Sequence, residues 1–314
     1  MMLPAIVAAA ARRRNGPPAP SSPPYNGTPI TVPTYDGSGQ LVHPDVIDFQ
    51  QEIGGPWNGH RFWMAFTPYP NSINTYENPC IVVSQNGVDW SVPDGLTNPL
   101  YPTPPVGYNA DTDITYDPDT GDLVLAYMSY NLAEVTLPLA RSVDGVTWPS
   151  STGFLPNEGG GTALAPSMVR DPDGTWHLWI QRNGGIRHRT APSPEGSWSA
   201  WGATTGTPAD IWHHNVIRAP GGRYLMLSHC RSTVTRRNGW LQASSSVDGI
   251  TWTTNPAHLV TSGNTADDSD DVYRPALTLH ENGTHARVWY SGRSAASVWR
   301  LFHTLIPLDE WPAP

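Results

Sequence analysis

Short runs of aliphatic, β-branched and aromatic residues recur along the chain, and each is bounded by glycine, proline, asparagine or aspartate. Pairs of these runs flank five tight-turn sequences: GPWNGHR at 55–61, DPDTGD at 117–122, DPDGTW at 171–176, APGGRY at 219–224 and HENGTH at 280–285. Two β-rich runs joined by such a turn are typical of a β-hairpin. The pattern therefore predicts five hairpins and an all-β fold.

A second repeated sequence, S-x-[DN]-G-x-x-W, follows the hairpins. It occurs at 84–90, 142–148 and 246–252, with a shorter variant at 193–198. In such a turn the acidic or amide side chain accepts backbone amides, glycine takes a positive φ, and tryptophan packs the turn against its sheet. A repeat of about 50 residues matches one four-stranded propeller blade. We therefore predict a five-bladed β-propeller over residues 29–314, in which PITVPT at 29–34 supplies the outer strand of the fifth blade.

Composition supports this fold and narrows the functional classes. The chain has 29 glycines and 33 prolines but only 14% charged residues, which favours turns over long surface helices. The 18 basic residues, all of them arginine, face 27 acidic ones, and the net charge is −9. This acidic balance argues against a nucleic-acid-binding protein, which would need a basic face to contact the phosphates. Cys80 and Cys230 fall in different, non-adjacent blades, so no disulfide is expected.

Residues 1–28 are predicted to form an N-terminal docking arm and linker. The apolar run MMLPAIVAAAA precedes Arg12, Arg13 and Arg14, whereas a secretory signal carries its positive charge before the apolar run. The run is also too short to span a bilayer, so no membrane span is expected. Residues 15–28 are rich in proline and serine and are typical of a tether. We expect the arm to dock on another protein.

Aligning the five inner strands on their hairpin turns brings polar residues together at one end of the propeller axis. One column holds Asp45, Asp113, Ser167, Asn215 and Ala276, and the column two residues earlier holds His43, Asp111, Ala165, His213 and Arg274. Aromatic and amide side chains fall on loops of the same face, and sugars are bound by flat aromatic faces combined with planar polar groups. The predicted ligand-binding residues are Asp45, Tyr69, Tyr76, Asn78, Asp111, Asp113, Trp212, His213, His214, Tyr273 and Arg274. The alternative is that these polar groups only bond to one another and fill the channel.

Five blades with aspartates on the first two inner strands resemble the arabinanase, xylosidase and invertase group of glycosidases. The resemblance implies that Asp45 is the base or nucleophile and that Asp113, or else Asp111, orients the sugar. The glutamate that serves as acid in that group is replaced here by Leu164, which cannot donate a proton. Glu77 or Glu158 could substitute, so the catalytic residues of an enzyme would be Asp45, Asp113 and Glu77.

The segment HPDVIDF, followed by RFWMAFTPYPNSINTYENPCIVVSQNGVDW, resembles bacteriophage propeller proteins of the minor tail or tail-fibre type over residues 40–300. This resemblance implies a virion protein, displayed in several copies outside the cell, that recognises host envelope carbohydrate and docks on other virion proteins through residues 1–28. The alternatives are an inverting glycoside hydrolase acting on envelope polysaccharide and a purely architectural virion protein.

Metal and cofactor chemistry is weakly represented in the sequence. The acidic run ADDSDD at 266–271 could hold a structural calcium ion through its carboxylates, but it lacks the spacing of a calcium-binding loop. The expectation is therefore no cofactor and no metal ligands among the site residues. A metal ion on the axis, held by a histidine, stays open as an alternative.

Overall fold

The computed structural model describes residues 22–151, 153–155, 163–232 and 237–314. Their regular structure is almost entirely β-strand, in five antiparallel sheets. Along the chain, an edge strand β1 (Thr28–Ile30) precedes the first blade, which contains β2 (Leu41–Asp48), β3 (Phe62–Pro68), β4 (Cys80–Ser84) and β5 (Trp90–Ser91). The second blade contains β6 (Tyr108–Asp117), β7 (Asp122–Tyr130), β8 (Val135–Ser142) and β9 (Gly153–Leu155). The third contains β10 (Ala163–Arg170), β11 (Trp176–Arg182), β12 (Gly185–Ala191) and β13 (Gly202–Ala203).

The fourth blade contains β14 (Ile211–Arg218), β15 (Tyr224–Cys230), β16 (Trp240–Ser246) and β17 (Thr253–Thr254), and β18 (Val260–Thr261) also pairs with β16. The fifth contains β19 (Asp271–Leu279), β20 (His285–Arg293) and β21 (Trp299–Pro307). Helical structure in the described part of the chain is limited to α1 (Phe49–Glu52) and three single 3₁₀ turns, Pro70–Ser72, Asn74–Tyr76 and Leu308–Glu310. None of these is long enough to cross a bilayer.

The sheets close into the predicted five-bladed propeller. Inner strands β2, β6, β10, β14 and β19 contact one another in that order, and β19 returns to β2. The ring is closed by the N-terminal segment, because β1 pairs antiparallel with β21, with Thr28 opposite His303. The prediction that this segment supplies the outer strand of the fifth blade is confirmed.

The repeated glycine turns join neighbouring blades. In the first blade, Trp289 from the fifth blade donates its indole N–H to the Gly87 carbonyl at 2.7 Å, and in the fourth blade Trp179 donates to Gly249 at 2.8 Å. A Cβ on Gly145 would lie 2.3 Å from the Trp63 ring, so only glycine permits this approach. The repeat is therefore structural, as its position on the blades predicts.

The column that begins with Asp45 also connects the blades. Each of its four polar members accepts the backbone N–H that follows the corresponding residue of the next blade: Asp45 from Ile114 at 2.6 Å, Asp113 from Met168 at 3.1 Å, Ser167 from Val216 at 3.0 Å and Asn215 from Leu277 at 2.9 Å. Ala276, the fifth member, has no such acceptor. We call the four polar members the inter-blade latches. They satisfy buried amides that an inner strand presents to its neighbour.

The structure also bears on the two cysteines and on part of the predicted N-terminal arm. Cys80 and Cys230 are both buried free thiols, which confirms the expected absence of a disulfide. Of the predicted docking arm, residues 1–21 lie outside the described residues. Tyr25, within the predicted tether, is buried against the propeller and donates its backbone N–H to the Leu259 carbonyl at 2.6 Å.

Candidate functional site

Each inner strand carries a β-bulge at the same end of the axis. The pairing of the first two strands shifts register between Val42/Asp45, Ala110/Asp113, Leu164/Ser167, Ile211/His213 and Val272/Pro275. A bulge bends the strand and redirects a side chain. At three of them the backbone is left-handed in a residue other than glycine: His43 at φ 56°, Asp111 at φ 53° and Ala165 at φ 50°. Such strained positions persist where the surrounding structure holds them, and they concentrate at functional sites.

The bulges bring the whole column that begins with His43 onto one carboxylate. Asp111 Oδ1 lies 3.0 Å from His43 Nε2, 3.1 Å from His213 Nε2 and 3.8 Å from Arg274 Nη1. Its other oxygen, Oδ2, accepts the backbone N–H of Ala165 at 2.9 Å. All five blades therefore contribute to the surroundings of Asp111.

His43, Asp111 and His213 form a potential metal-binding cluster, called the axial cluster below. One ligand atom from each residue lies within 4.8 Å of the others, and all three side chains are buried. Two imidazoles and one carboxylate are a common ligand set of catalytic metal sites, which keep further coordination positions open for substrate. The donor set and its burial fit a divalent ion.

A second layer orients the His43 ring. His43 Nδ1 lies 2.8 Å from Thr67 Oγ1 and 3.6 Å from Glu77 Oε2, so its Nε2 points at Asp111. A hydrogen bond to the outer nitrogen of a ligating histidine fixes the ring and its tautomer. This layer therefore presents Nε2 to the cluster.

The loop after β3 positions Glu77. Asn109 donates its backbone N–H to the Glu77 carbonyl at 3.1 Å, and its side-chain amide to Asn78 Oδ1 at 2.8 Å. Asn78, fully buried, donates in turn to Thr103 Oγ1 at 3.1 Å. Asn78, a predicted ligand-binding residue, thus holds the loop, and Glu77 is the side chain that the loop brings to the cluster.

An aromatic wall stands beside the axial cluster. The Tyr273 ring lies 4.5 Å from the His213 ring and 5.5 Å from the His43 ring, and its hydroxyl accepts from Trp212 Nε1 at 3.3 Å. Trp299 lies between Tyr273, at 5.4 Å, and Tyr69, at 5.7 Å. The structure therefore brings together three of the predicted aromatic residues, Tyr69, Trp212 and Tyr273.

Two other predicted ligand-binding residues differ in burial: Tyr76 is exposed and His214 lies in the interior. Tyr76 is 38% exposed, and its carbonyl accepts from the Tyr35 hydroxyl at 2.9 Å. His214 is fully buried. Burial lowers the pKa of His214 to about 3. It is therefore a neutral side chain of the interior.

The predicted catalytic pair, Asp45 and Asp113, lies below the axial cluster. Asp45 Oδ1 accepts from Asn215 Nδ2 at 2.8 Å, and the latch bonds occupy Oδ2 of both aspartates. Both residues line a cavity of about 1060 Å³ that opens at the opposite end of the axis, among the hairpin turns. The aspartates therefore face the other end of the channel from the aromatic wall.

The pKa of Asp111 in the axial cluster shifts in the opposite direction from the pKa values of Asp45 and Asp113. Burial would raise the pKa of Asp111, but the two histidines outweigh it and hold that pKa well below its usual range. Burial lowers the pKa of His43, and it lowers that of His213 to about 3. A charged carboxylate between neutral imidazoles is the form that binds a metal ion.

The pKa values of the deeper carboxyls, Asp45 and Asp113, are raised. Burial raises the pKa of Asp45, and burial together with Asp45 raises that of Asp113 well above its usual range. Arg274, fully buried with Nη2 3.0 Å from the Pro166 carbonyl, opposes both increases. Burial, followed by Asp111, raises the pKa of Glu77 well above its ordinary value.

Some functional residues could be found from the sequence and others could not. The alignment of the inner strands includes His43 in a polar column, but His43 is not among the predicted site residues. No sequence pattern indicates that Thr67 or Trp299 lies at the site. Glu158, the second candidate acid, lies outside the described residues. In the acidic run, Asp268 Oδ1 accepts from the Thr265 N–H at 2.6 Å and Asp270 pairs with Arg293 at 2.6 Å, so protein donors already contact these carboxylates.

The known proteins that are similar to this chain are enzymes that act on carbohydrates. No protein-family model matches the chain. The A type blood N-acetyl-α-D-galactosamine deacetylase of Flavonifractor plautii is 29% identical over 315 aligned residues, which cover 80% of this chain and 40% of that protein. The chain thus spans less than half the length of this curated relative.

Solved structures show the same fold. An N-acetylgalactosamine deacetylase from F. plautii, crystallised with blood group B trisaccharide, superposes with a TM-score of 0.77 at 22% identity and covers 91% of this chain and 96% of its own. The catalytic domain of the GH62 α-L-arabinofuranosidase of Coprinopsis cinerea gives 0.64 at 14% identity, covering 90% and 96%. A thermostable family-43 glycoside hydrolase gives 0.60 at 13% identity, covering 88% and 95%.

These relatives overturn the prediction of a phage tail protein. They are carbohydrate-active enzymes, and the curated one is bacterial, so the virion function, the virion partners of residues 1–28 and the architectural alternative are wrong. The TPYPN and YENP sequences that suggested a virion protein belong to the loop that places Glu77 and Asn78.

Proposed function

We propose that this chain is a metal-dependent carbohydrate N-deacetylase, which hydrolyses the acetamido group of an N-acetylated sugar to a free amine and acetate. The observation that carries the proposal is the axial cluster, in which His43, Asp111 and His213 converge within 4.8 Å beside an aromatic wall. The named activity of the curated relative supports the same reaction and suggests N-acetylgalactosamine as the first sugar to test.

The axial cluster would hold a divalent ion through His43 Nε2, one Asp111 oxygen and His213 Nε2. Such an ion supplies Lewis-acid polarisation of the amide carbonyl. The chain's own residues then orient the ligands. The Ala165 N–H holds Asp111 Oδ2, and Thr67 holds the outer nitrogen of His43. No comparable bond orients the outer nitrogen of His213 among the described residues.

Glu77 is the group proposed to move the proton. Water adds to the amide carbon, the C–N bond breaks, and one proton must pass from the water to the departing nitrogen. A buried carboxyl at the mouth can take this proton and return it, as a general base and then a general acid. Glu77 meets this description, since it is only 4% exposed and lies 3.6 Å from His43.

The aromatic wall is proposed to hold the sugar ring. Tyr69 and Trp212 are partly buried and lie on the rim, where an aromatic face can pack on the C–H face of a pyranose. Tyr273 is also partly buried, and its ring contacts both cluster histidines. We therefore expect the acetamido group to lie toward the axis and the rest of the glycan toward solvent.

The proposal is tested by following acetate release from an N-acetyl-α-galactosaminide. Protein stripped with a chelator should be inactive and should recover when a divalent metal is restored. His213→Ala should not recover, whereas His258→Ala, which removes an exposed histidine that stacks on Trp240, should behave as wild type. Acetate release that is equal in stripped and metal-loaded protein would contradict the proposal.

A glycoside hydrolase is the second candidate. The fold shared with family-43 and GH62 enzymes favours it, and Glu77 and Asp111 are two buried carboxyls at the same mouth. Two carboxyls are the minimum for glycoside hydrolysis. New reducing ends without acetate in the same incubation would establish this reaction instead.

A further inference from the structure

A group of apolar side chains lies at the edge of the axial mouth in the second blade and takes no part in the proposed reaction. Tyr108 begins β6 and Tyr130 ends β7, and the two partly buried residues pair across these strands with their rings 5.6 Å apart, edge to face. Leu132 follows in the loop between β7 and β8 and is 64% exposed. We call Tyr108, Tyr130 and Leu132 the second-blade rim.

The second-blade rim is continuous with the axial cluster. Tyr108 precedes Asp111 by three residues of β6, a span of at most about 10 Å in an extended strand. The next residue, Asn109, donates its backbone N–H to the Glu77 carbonyl at 3.1 Å, so Tyr108 lies beside the loop that carries Glu77. Burial, followed by Glu77 and Asp111, raises the pKa of Tyr108 to about 12. A ligand that extends outward from the cluster on this side therefore meets the second-blade rim.

The loop after β7 holds Leu132 out in solvent. Asn131 Oδ1 accepts the backbone N–H groups of Ala133 at 3.0 Å and Glu134 at 2.9 Å. The Tyr130 hydroxyl donates to the Leu132 carbonyl at 3.3 Å. Leu132 has φ 71°, a left-handed conformation that costs a leucine free energy and that glycine adopts freely. An exposed side chain recovers little of that cost by burial, so folding alone does not account for a leucine here.

Aromatic rings beside an exposed aliphatic side chain match the apolar face of a neutral sugar. The C–H groups of a pyranose pack on aromatic rings, and sites for such ligands combine apolar walls with a few polar groups. The charged residue of the loop sequence NLAE at 131–134 is Glu134, which would repel an anionic sugar. The second-blade rim therefore suits a neutral sugar.

We propose that the second-blade rim is a second sugar-binding subsite, which binds the neutral sugar linked to the N-acetylated one. The preferred substrate is then an oligosaccharide, and an N-acetylated monosaccharide is a poor one. This inference rests on the proposed deacetylase function. Contacts made outside the reacting group supply binding energy that a monosaccharide cannot use.

Two substrates that differ by one sugar test the subsite. The first is N-acetylgalactosamine α-linked to galactose, and the second is the methyl α-glycoside of N-acetylgalactosamine. Metal-loaded wild-type protein should release acetate from the disaccharide with a kcat/KM at least about tenfold above that for the methyl glycoside. Equal values of kcat/KM for the two substrates would overturn the inference.

Leu132→Gly separates a role in binding from a role in folding. Glycine relieves the left-handed strain, so the urea midpoint of unfolding should not fall. The preference for the disaccharide should nevertheless decrease at least about threefold, because the apolar contact with the second sugar is lost.

The tyrosine pair gives a second, independent set of variants. Tyr130→Ala should largely abolish the preference for the disaccharide, whereas Tyr130→Phe, which keeps the ring, should retain it. Tyr116→Ala is the matched control, because it removes a partly buried tyrosine of β6 that lines the cavity at the opposite end of the axis, and it should also retain the preference. A preference that survives both Leu132→Gly and Tyr130→Ala would contradict the subsite.

Binding separates this inference from the proposed function. Calorimetric titration of metal-stripped protein with the disaccharide and with the methyl glycoside needs no turnover. Absence of acetate from both substrates would refute the deacetylase, while a lower Kd for the disaccharide that is lost in Tyr130→Ala would still support the subsite. Equal Kd values for the two ligands would refute the subsite whether or not acetate appears.

Discussion

Substitution of Asp45 separates a structural from a catalytic role at the deeper level of the axis. In the structure, Asp45 Oδ2 accepts the Ile114 N–H at 2.6 Å and Oδ1 accepts from Asn215 at 2.8 Å. Asp45→Ala would leave both donors buried without an acceptor. Each such group costs about 1–3 kcal/mol, so the free energy of unfolding should fall by roughly 2–6 kcal/mol.

Asp45→Asn should lower the free energy of unfolding by less than Asp45→Ala does. The asparagine oxygen can still accept from Ile114, but its amide would face the Asn215 amide, so one donor contact is lost at a cost of about 1–3 kcal/mol. A matched comparison is Ser167→Ala, which removes the single latch to Val216 and should cost a similar amount. Urea unfolding followed by tryptophan fluorescence measures all three variants.

Activity decides between the two roles. If Asp45 is a latch, folded Asp45→Asn should release acetate at a rate within a few-fold of wild type. If Asp45 is the base of a glycosidase, the variant should retain its stability and lose turnover. Full stability combined with loss of activity would refute the structural role assigned to Asp45.

Three further predictions concern the site and the protein's pH response. A divalent ion at about 100 times its Kd should add about 2.7 kcal/mol of stability, seen by calorimetry as a Tm raised by roughly 4 °C, and His43→Ala should abolish this rise. Glu77→Gln should lower kcat by about a hundredfold or more while keeping the metal-induced Tm rise; loss of that rise instead would make Glu77 a positioning residue. Burial, followed by His177, lowers the pKa of His188 to about 4, against about 6.5 in an unfolded chain. The unfolded state therefore binds the proton first on acidification, so the free energy of unfolding should fall by up to about 3 kcal/mol between pH 6.5 and pH 4, and His188→Phe should flatten that slope in urea titrations.

The repeat pattern was sufficient to predict the fold. Five hairpin turns define one blade each, and the four glycine–tryptophan repeats follow the first four hairpins. The missing outer strand of the fifth blade required closure by a segment such as β1. These features depend on local turn chemistry and on strand periodicity, both of which a single sequence displays. The alignment of the Asp45 column was correct for the same reason.

The axial cluster could be predicted only in part. Strict alternation places His43 and Asp45 on the same face of β2. The sequence alone therefore cannot tell whether the column that begins with His43 or the column that begins with Asp45 forms the functional site. The bulge between Val42 and Asp45 breaks this equivalence, and the left-handed backbone of His43 directs its ring to Asp111. Bulges depend on the packing of five blades against one another, which no single strand encodes.

Removal of an acetyl group at the axial cluster is tested most simply by mass spectrometry of one incubation of metal-loaded protein with an N-acetyl-α-galactosaminide. We expect a product that has lost its acetyl group, with an equimolar amount of acetate and the glycosidic bond intact. Cleavage of the glycosidic bond with the acetyl group retained would contradict this expectation.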